Sequence, residues 1–279
     1  MTGHEDRPLR AVKDSAQEGA DARSASPPAA GSRRERFRRR GVYLLPNLIT
    51  SGALFAGFYA IVAGMNGNFV AAALAIFVAI ALDTADGRVA RLTKTESQFG
   101  AEYDSLSDMV AFGVAPALVA FSWGLSSLGQ VGWVMTFVYM ACAALRLARF
   151  NTSGDNAGFT GLASPSAAAI IACCVWSWES HVGGAPGLLA ALTMGVITTA
   201  VGLLMVSNFH YFSPKLINFK GRVPFLTLVA VVLGLSLMML NPPVVLLTMA
   251  TLYAFSGPVQ QAWKTVHARR QKQQESPEQ

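Results

Sequence analysis

Asp83, Asp86, Asp104 and Asp108 stand in two short runs, Asp83-Thr84-Ala85-Asp86-Gly87-Arg88-Val89-Ala90-Arg91 and Gly100-Ala101-Glu102-Tyr103-Asp104-Ser105-Leu106-Ser107-Asp108. Neither run holds a His or a Cys. Carboxylates on their own favour hard cations bound through oxygen, Mg²⁺, Mn²⁺ or Ca²⁺ rather than zinc. Phosphate is a common second ligand of such ions. A pair of them can hold a pyrophosphate and stabilise the attacking and leaving oxygens of an in-line displacement. Arg91 would add charge-assisted contacts to the phosphates.

The spacing predicts two facing stripes. Asp83, Asp86, Gly87 and Ala90 fall at i, i+3, i+4 and i+7, one face of a helix, and Gly100, Asp104 and Asp108 repeat at i+4 along the next. Each stripe combines carboxylates with residues too small to fill space, so the two together leave a pocket. Simpler readings stand beside this one. Asp83 can pair with Arg91, Arg91 can be a snorkelling anchor, and Gly87 and Gly100 can serve close helix packing. For four aspartates, ion pairing leaves too few cations.

The elements that carry these stripes are membrane helices. The chain has 279 residues, 52% hydrophobic and 14% charged, with a mean hydropathy of +0.39, values that a soluble domain rarely reaches. Apolar stretches long enough to cross a hydrocarbon core of about 30 Å occur at 46–65, 68–91, 102–123, 129–150, 164–180, 186–207, 223–241 and 242–258. The fold expected is an all-α polytopic membrane bundle of about eight helices, with a six-helix catalytic core and spans seven and eight packed outside. Asn241-Pro242-Pro243 separates the last two, since Pro ends one helix and suits the first turn of the next. A carboxylate at such depth costs about 2.5 to 3.5 kcal/mol on insertion scales, so four of them need partners.

Charge sets the expected orientation. Ten of the 22 Lys and Arg residues precede residue 41, and the others are Arg88, Arg91, Lys94, Arg146, Arg149, Lys215, Lys220, Arg222, Lys264, Arg269, Arg270 and Lys272. With eight spans and both termini inside, all 22 fall on the cytoplasmic side, which puts the aspartates near the cytoplasmic face of the cell membrane. The pI of about 9.5 is then a topology signal with some attraction to anionic lipid. It is not a sign of nucleic-acid binding, because no basic patch interleaved with aromatics stands on a soluble domain. Residues 1–40 lack an apolar signal-peptide core and hold six acids, so they read as a disordered basic cytoplasmic tail rather than a leader. The expected organisation is this tail, a core over 41–222, two accessory spans over 223–258 and a second cytoplasmic tail over 259–279. Cys142, Cys173 and Cys174 all fall within spans and read as packing residues.

The string Asp83-x2-Asp86-Gly87-x2-Ala90-Arg91-x8-Gly100-x3-Asp104-x3-Asp108 resembles the complete signature of the CDP-alcohol phosphatidyltransferase family. The resemblance implies that Asp83, Asp86 and Asp104 bind a divalent metal, Mg²⁺ or Mn²⁺. It implies that Asp108 deprotonates the acceptor alcohol and also touches metal, and that Gly87, Ala90 and Gly100 leave room for a cytidine nucleotide. Asn47 and Arg91 would complete the nucleotide and phosphate side. Pro46-Asn47-Leu48-Ile49-Thr50, Arg146-Leu147-Ala148-Arg149-Phe150-Asn151 and Phe159-Thr160-Gly161-Leu162-Ala163-Ser164-Pro165-Ser166-Ala167 are similar to the phosphatidylserine synthase branch, with Ala163 standing where that pattern has Pro. Met205-Val206-Ser207 through Lys215 resembles it more loosely.

That branch implies CDP-diacylglycerol and L-serine as substrates, the lipid bilayer as surroundings and a homodimer. Serine brings a carboxylate and an ammonium beside its hydroxyl, so its pocket needs a cation and some acceptors. Arg146, Arg149 and Asn151 are the candidates, with the polar loop from Asn151 to Gly161 closing over them. Both arginines also read as ordinary positive-inside anchors, Asn47 as an N-cap of the first span, and His210 as interfacial. The competing acceptors are glycerol 3-phosphate and inositol phosphate. A cation-coupled transporter is the competing class, against which stand the clustering near one face and the lack of broken helices in matched halves. A non-catalytic membrane scaffold is a third class.

Overall fold

The computed structural model describes residues 30–93, 97–153, 160–209 and 225–275. Its contacts divide it into two compact units, Met1–Leu44 and Leu45–Gln279. In the first, residues 30–44 are helical, and the remainder of the expected tail, with Lys94, most of the loop from Asn151 to Gly161, His210, Lys215, Lys220 and Arg222, lies outside the described residues. The second unit carries the fold and the site.

Among the described residues the chain is helical throughout, without strands. The helices are α1 (Ala30–Met65, with Leu45–Met65 its apolar part), α2 (Phe69–Thr93), α3 (Gln98–Trp123), α4 (Gln130–Ser153), α5 (Ser164–His181), α6 (Leu188–Val206), α7 (Phe225–Leu240) and α8 (Pro242–Glu275). They follow the eight expected spans in order. Six of them, α1 to α4, α6 and α8, are long and apolar enough to cross a membrane. The two that fall short have different reasons. α7 has only 16 residues, and α5 ends in Trp176-Ser177-Trp178-Glu179-Ser180-His181, which lowers its hydropathy. α5 can afford polar groups because it sits in the middle of the bundle, touching α2, α3, α6 and α8.

Small residues let these helices approach. Ala53, Ala56, Ala60 and Ala63 are buried along one face of α1, with Gly57 and Gly64 beside them. A Cβ on Gly57 would lie 2.8 Å from the Ala111 Cα, and one on Gly64 would lie 3.1 Å from the Val119 Cγ2. α1 and α3 therefore run in the same direction, backbone almost against backbone, as small residues allow in membranes. Larger side chains fill the centre: Ile76, Phe112, Leu125, Tyr139 and Ile171 have no exposed surface. Cys142 and Cys173 are buried and Cys174 partly so, all as free thiols in packed positions.

Two short connections hold the α5 end of the site. Gly161 takes a left-handed backbone (φ 84°) and donates its N–H to the Phe209 carbonyl at 2.9 Å, while Leu162 donates to the Leu204 carbonyl at 3.0 Å. A side chain at Gly161 would run into the Met205 carbonyl oxygen, so both the conformation and the space demand glycine. At the opposite end, α7 stops at Leu240 and α8 begins at Pro242, as the Asn-Pro-Pro run predicts. α8 then packs along α5 and contributes Ala254 to the core, so this last helix is bound into the bundle through its inner face.

Gly57→Val is expected to force α1 away from Ala111 and to destabilise the detergent-solubilised protein by about 1–3 kcal/mol, the usual cost of overpacking. Gly187→Ala, where a Cβ meets nothing within 4 Å, is expected to leave the unfolding midpoint unchanged. Equal midpoints for the two variants would refute the close packing of α1 on α3.

Candidate active site

α2 brings Asp83 and Asp86 to the site and α3 brings Asp104 and Asp108. Ser97 starts α3 as its N-cap, its Oγ accepting the Gly100 N–H at 3.0 Å. This fixes the helical phase in which Gly100, Asp104 and Asp108 share one face. One carboxylate oxygen from each of Asp83, Asp104 and Asp108 lies within 4.8 Å of the others, all three side chains being partly buried. The carboxyl groups of Asp83 and Asp108 come within hydrogen-bonding reach of each other. Charged carboxylates so close repel unless a proton or a cation stands between them.

Asp86 completes the set differently. It is only 4% exposed and lies beside Thr50 and the Gly87 backbone, while its Oδ2 has no partner among the described residues. A buried oxygen left bare costs free energy. A bare carboxylate oxygen next to three converging carboxylates, with no nitrogen or sulfur in the donor set, is what a hard divalent cation requires. The residues present therefore fit Mg²⁺ or Mn²⁺.

Beside the carboxylates opens a pocket of about 290 Å³ lined by Pro46, Asn47, Thr50, Asp86, Gly87, Ala90, Ser97, Gly100, Ala101 and Asp104. Its width depends on the missing side chains. A Cβ on Gly100 would sit 3.1 Å from the Ser97 Oγ and 3.5 Å from the Asn47 Oδ1, closing the space between α1 and α3. Asn47 lines this pocket from inside α1 rather than capping the helix, because the helix already runs through it. Arg91 arches back over the same turn, its Nε donating to the Gly87 carbonyl at 2.9 Å.

The three candidates on α4 part company. Arg146 turns inward: its Nη1 donates to the Ser164 Oγ at the start of α5, and its electrostatic partners are Asp108, Tyr253, Asp83 and Tyr139. Arg149 instead binds the end of α6, donating from Nη2 to the Asn208 Oδ1 at 2.8 Å and from Nη1 to the Val206 carbonyl at 3.5 Å. That is the contact a cation makes with the last carbonyls of a helix. Asn151 is paired with Ser105 of α3, its Nδ2 donating to the Ser105 Oγ at 3.0 Å. Thr50, Ser97, Ser164 and Tyr253 belong to the neighbourhood without having been singled out from sequence. Thr50 and Ser164 stand inside the Pro46–Thr50 and Phe159–Ala167 runs, whereas Tyr253 carries no motif.

Immediately after Asp108, α3 widens into a π-helical turn, Met109–Val114, before continuing as Ala115–Trp123. Pro116 accounts for it. In a regular helix the Phe112 carbonyl would accept the N–H of the residue four further on, which is Pro116 and has none, and the proline ring would press on that carbonyl. The wider turn relieves the clash. The fully buried Tyr139 of α4 supplies the hydrogen bond instead, its hydroxyl donating to the Phe112 carbonyl at 2.8 Å.

Residues 43–206 match the model of the CDP-alcohol phosphatidyltransferase family. The chain is similar to the CDP-diacylglycerol–serine O-phosphatidyltransferase of Helicobacter pylori strain J99, 36% identical over 219 residues that make up 77% of this chain and 90% of that one. It is 38% identical to the enzyme of the same name from Methanocaldococcus jannaschii over 143 residues, 51% of this chain and 63% of the other. An archaetidylserine synthase of Methanothermobacter thermautotrophicus is 32% identical over 170 residues, 60% of this chain and 69% of that one.

Tyr139→Phe removes the one hydroxyl bonded to the Phe112 carbonyl and is expected to cost about 1–3 kcal/mol of stability, the penalty for a buried acceptor left bare. Denaturant or thermal unfolding of the purified protein measures it. A variant as stable as the parent would mean that the π turn satisfies its own carbonyls.

Proposed function

The chain belongs to the CDP-alcohol phosphatidyltransferase family, and from that premise we propose that it transfers the phosphatidyl group of CDP-diacylglycerol to the hydroxyl of L-serine, giving phosphatidylserine and CMP. The observation that carries the reading is the division of the site. Asp86 and Asp104 line the pocket bounded by Gly87, Ala90 and Gly100, while Asp108 and Asp83 face Arg146 on the other side. A nucleotide fits the first part, and an acceptor with its own anionic group fits the second. The relatives in Helicobacter and Methanocaldococcus are named for serine, which carries such a carboxylate.

In this reading the serine hydroxyl attacks the β-phosphorus of CDP-diacylglycerol. A new P–O bond forms to serine, the phosphoanhydride bond breaks, and CMP leaves with the bonding electrons. The hydroxyl proton passes to Asp108, which belongs to the converging carboxylates and lies within electrostatic reach of Arg146. Asp83, Asp104 and Asp108, whose oxygens converge, together with Asp86 would hold Mg²⁺ or Mn²⁺, which when bound would offset the charge on the phosphates as it grows in the displacement. Arg91 and Asn47 steady the phosphate and nucleotide. Arg146 orients the acceptor through its carboxylate; Arg149 and Asn151 support the helix ends around it. The core is residues 41–222, preceded by the basic tail of 1–40, and the site opens to the cytoplasmic side because every Lys and Arg falls there in an eight-span topology.

Membranes containing the protein are to be given CDP-diacylglycerol, Mg²⁺ or Mn²⁺, and in turn serine, glycerol 3-phosphate and inositol phosphate. Serine-dependent CMP release is expected, abolished by EDTA and restored by either cation. Release with another alcohol alone would overturn the choice of acceptor, and release with none would overturn the reaction. Asp108→Asn is expected to lower turnover by about a hundredfold or more, the low end for a lost acid–base group, with the protein still inserted. Normal turnover in that variant would remove Asp108 from the role of base.

A further inference from the structure

We propose that Tyr253 of α8 forms, together with Arg146, the wall that receives the acceptor's carboxylate, and so takes part in choosing the acceptor. The inference rests on the reading of serine as acceptor and extends it to a helix beyond the matched residues 43–206. α8 has two faces. Met249, Leu252, Phe255 and Val259 are more than half exposed, an apolar outer face suited to lipid. The inward face carries Ala250, Ala254 and Gly257, small residues that let α8 close on α5, with Tyr253 among them packed against the core. A large side chain with a polar tip at such a position needs a polar partner.

The register of the two helices brings Tyr253 toward the Arg146 side of the site. α8 starts beside the end of α5, where the Asn241 side-chain amide meets the His181 ring at 2.7 Å, and the two helices pack alongside each other from there. They are therefore antiparallel. Tyr253 lies twelve residues past Asn241, about 18 Å along α8, and so comes level with the second turn of α5. The first turn of α5 holds Ser164, to which Arg146 is hydrogen-bonded. The Tyr253 phenol is within electrostatic reach of the Arg146 guanidinium, which in turn faces Asp108 and Asp83.

A guanidinium has more donors than Ser164 can accept. Were a divalent cation to meet the charge of the aspartates, Arg146 would keep its own charge for an anion. A carboxylate bound by it would have its second oxygen turned toward the phenol hydroxyl, a neutral donor that holds an anion without adding a second charge beside Asp108. The hydroxyl that reacts would then be held on the Asp108 side.

The test is a pair of KM measurements on the full chain in membranes, for wild type and Tyr253→Phe, following CMP release against serine at saturating CDP-diacylglycerol and then the reverse. Loss of one hydrogen bond to a charged group is expected to raise the serine KM about tenfold, with the KM for CDP-diacylglycerol unmoved. Tyr253→Met, a somewhat smaller apolar side chain with neither ring nor hydroxyl, is expected to do the same. An unchanged serine KM in both variants overturns the inference, as does an equal rise in both KM values, which a packing role would produce. Wild-type protein that releases no CMP with serine overturns the acceptor reading itself, whereas serine-dependent release with an unmoved serine KM in the variants overturns this inference alone.

Discussion

A carboxylate taken out of water must recover its lost hydration from something else, and here four of them have to do so in one small volume of an apolar bundle. Much of the remaining structure serves that requirement. α2 and α3 must come close enough for oxygens from Asp83, Asp104 and Asp108 to lie within 4.8 Å of one another. Thr50 and the Gly87 backbone hold Asp86 from one side, and Arg146, itself steadied by Ser164, offers positive charge from the other. The Asp86 Oδ2, which no described residue meets, is an oxygen donor of the kind that a hard divalent cation takes. The cost of burial thus becomes selectivity for a particular kind of ligand.

The same helices divide the site. α1, α2 and the start of α3 enclose the pocket where small residues make room. The ends of α4 and α5, reached by α8, make up the Arg146 side. α5 is the hinge of this arrangement because it touches α2, α3, α6 and α8, and its first turn is pinned by Gly161 and Leu162 to the end of α6. Arg149 adds to that anchorage from α4. Elements remote from the carboxylates therefore matter by holding Arg146 at the right depth.

Much of this was legible in the sequence. Periodicity aligned Asp83 with Asp86, and Gly100 with Asp104 and Asp108, because helical spacing reports directly which residues share a face. Asn241-Pro242-Pro243 marked a break for a backbone reason that no packing can override. Periodicity does not say which neighbour a face meets. Arg146 and Arg149, three residues apart, looked equivalent, yet one reaches Ser164 and the other Asn208, a difference set by depth in the bundle and by where α5 and α6 happen to end. Asn47 admits two readings, a nucleotide-side residue and a cap, because the apolar pattern begins there, and a helix can begin before its apolar part. Pro116 did carry a signal, and its meaning depended on Tyr139 being across from the Phe112 carbonyl, a contact between residues 27 apart in the chain.

The widened turn at Met109–Val114 has a geometric corollary for α3. One surplus residue in a helix corresponds to about 100° of rotation, so the face that bears Asp104 and Asp108 does not continue in line into the segment beyond. A straight rod would have to present its carboxylates and its packing surface along a single strip, and would gain one at the expense of the other. With the twist, the Gln98 end addresses α2 while the Ala115–Trp123 end turns Ala115, Val119 and Ala120 into the core. One continuous segment thereby answers to two sets of neighbours, and a one-residue deletion within that turn would swing a whole half-helix to a different compass bearing without altering a single reactive group.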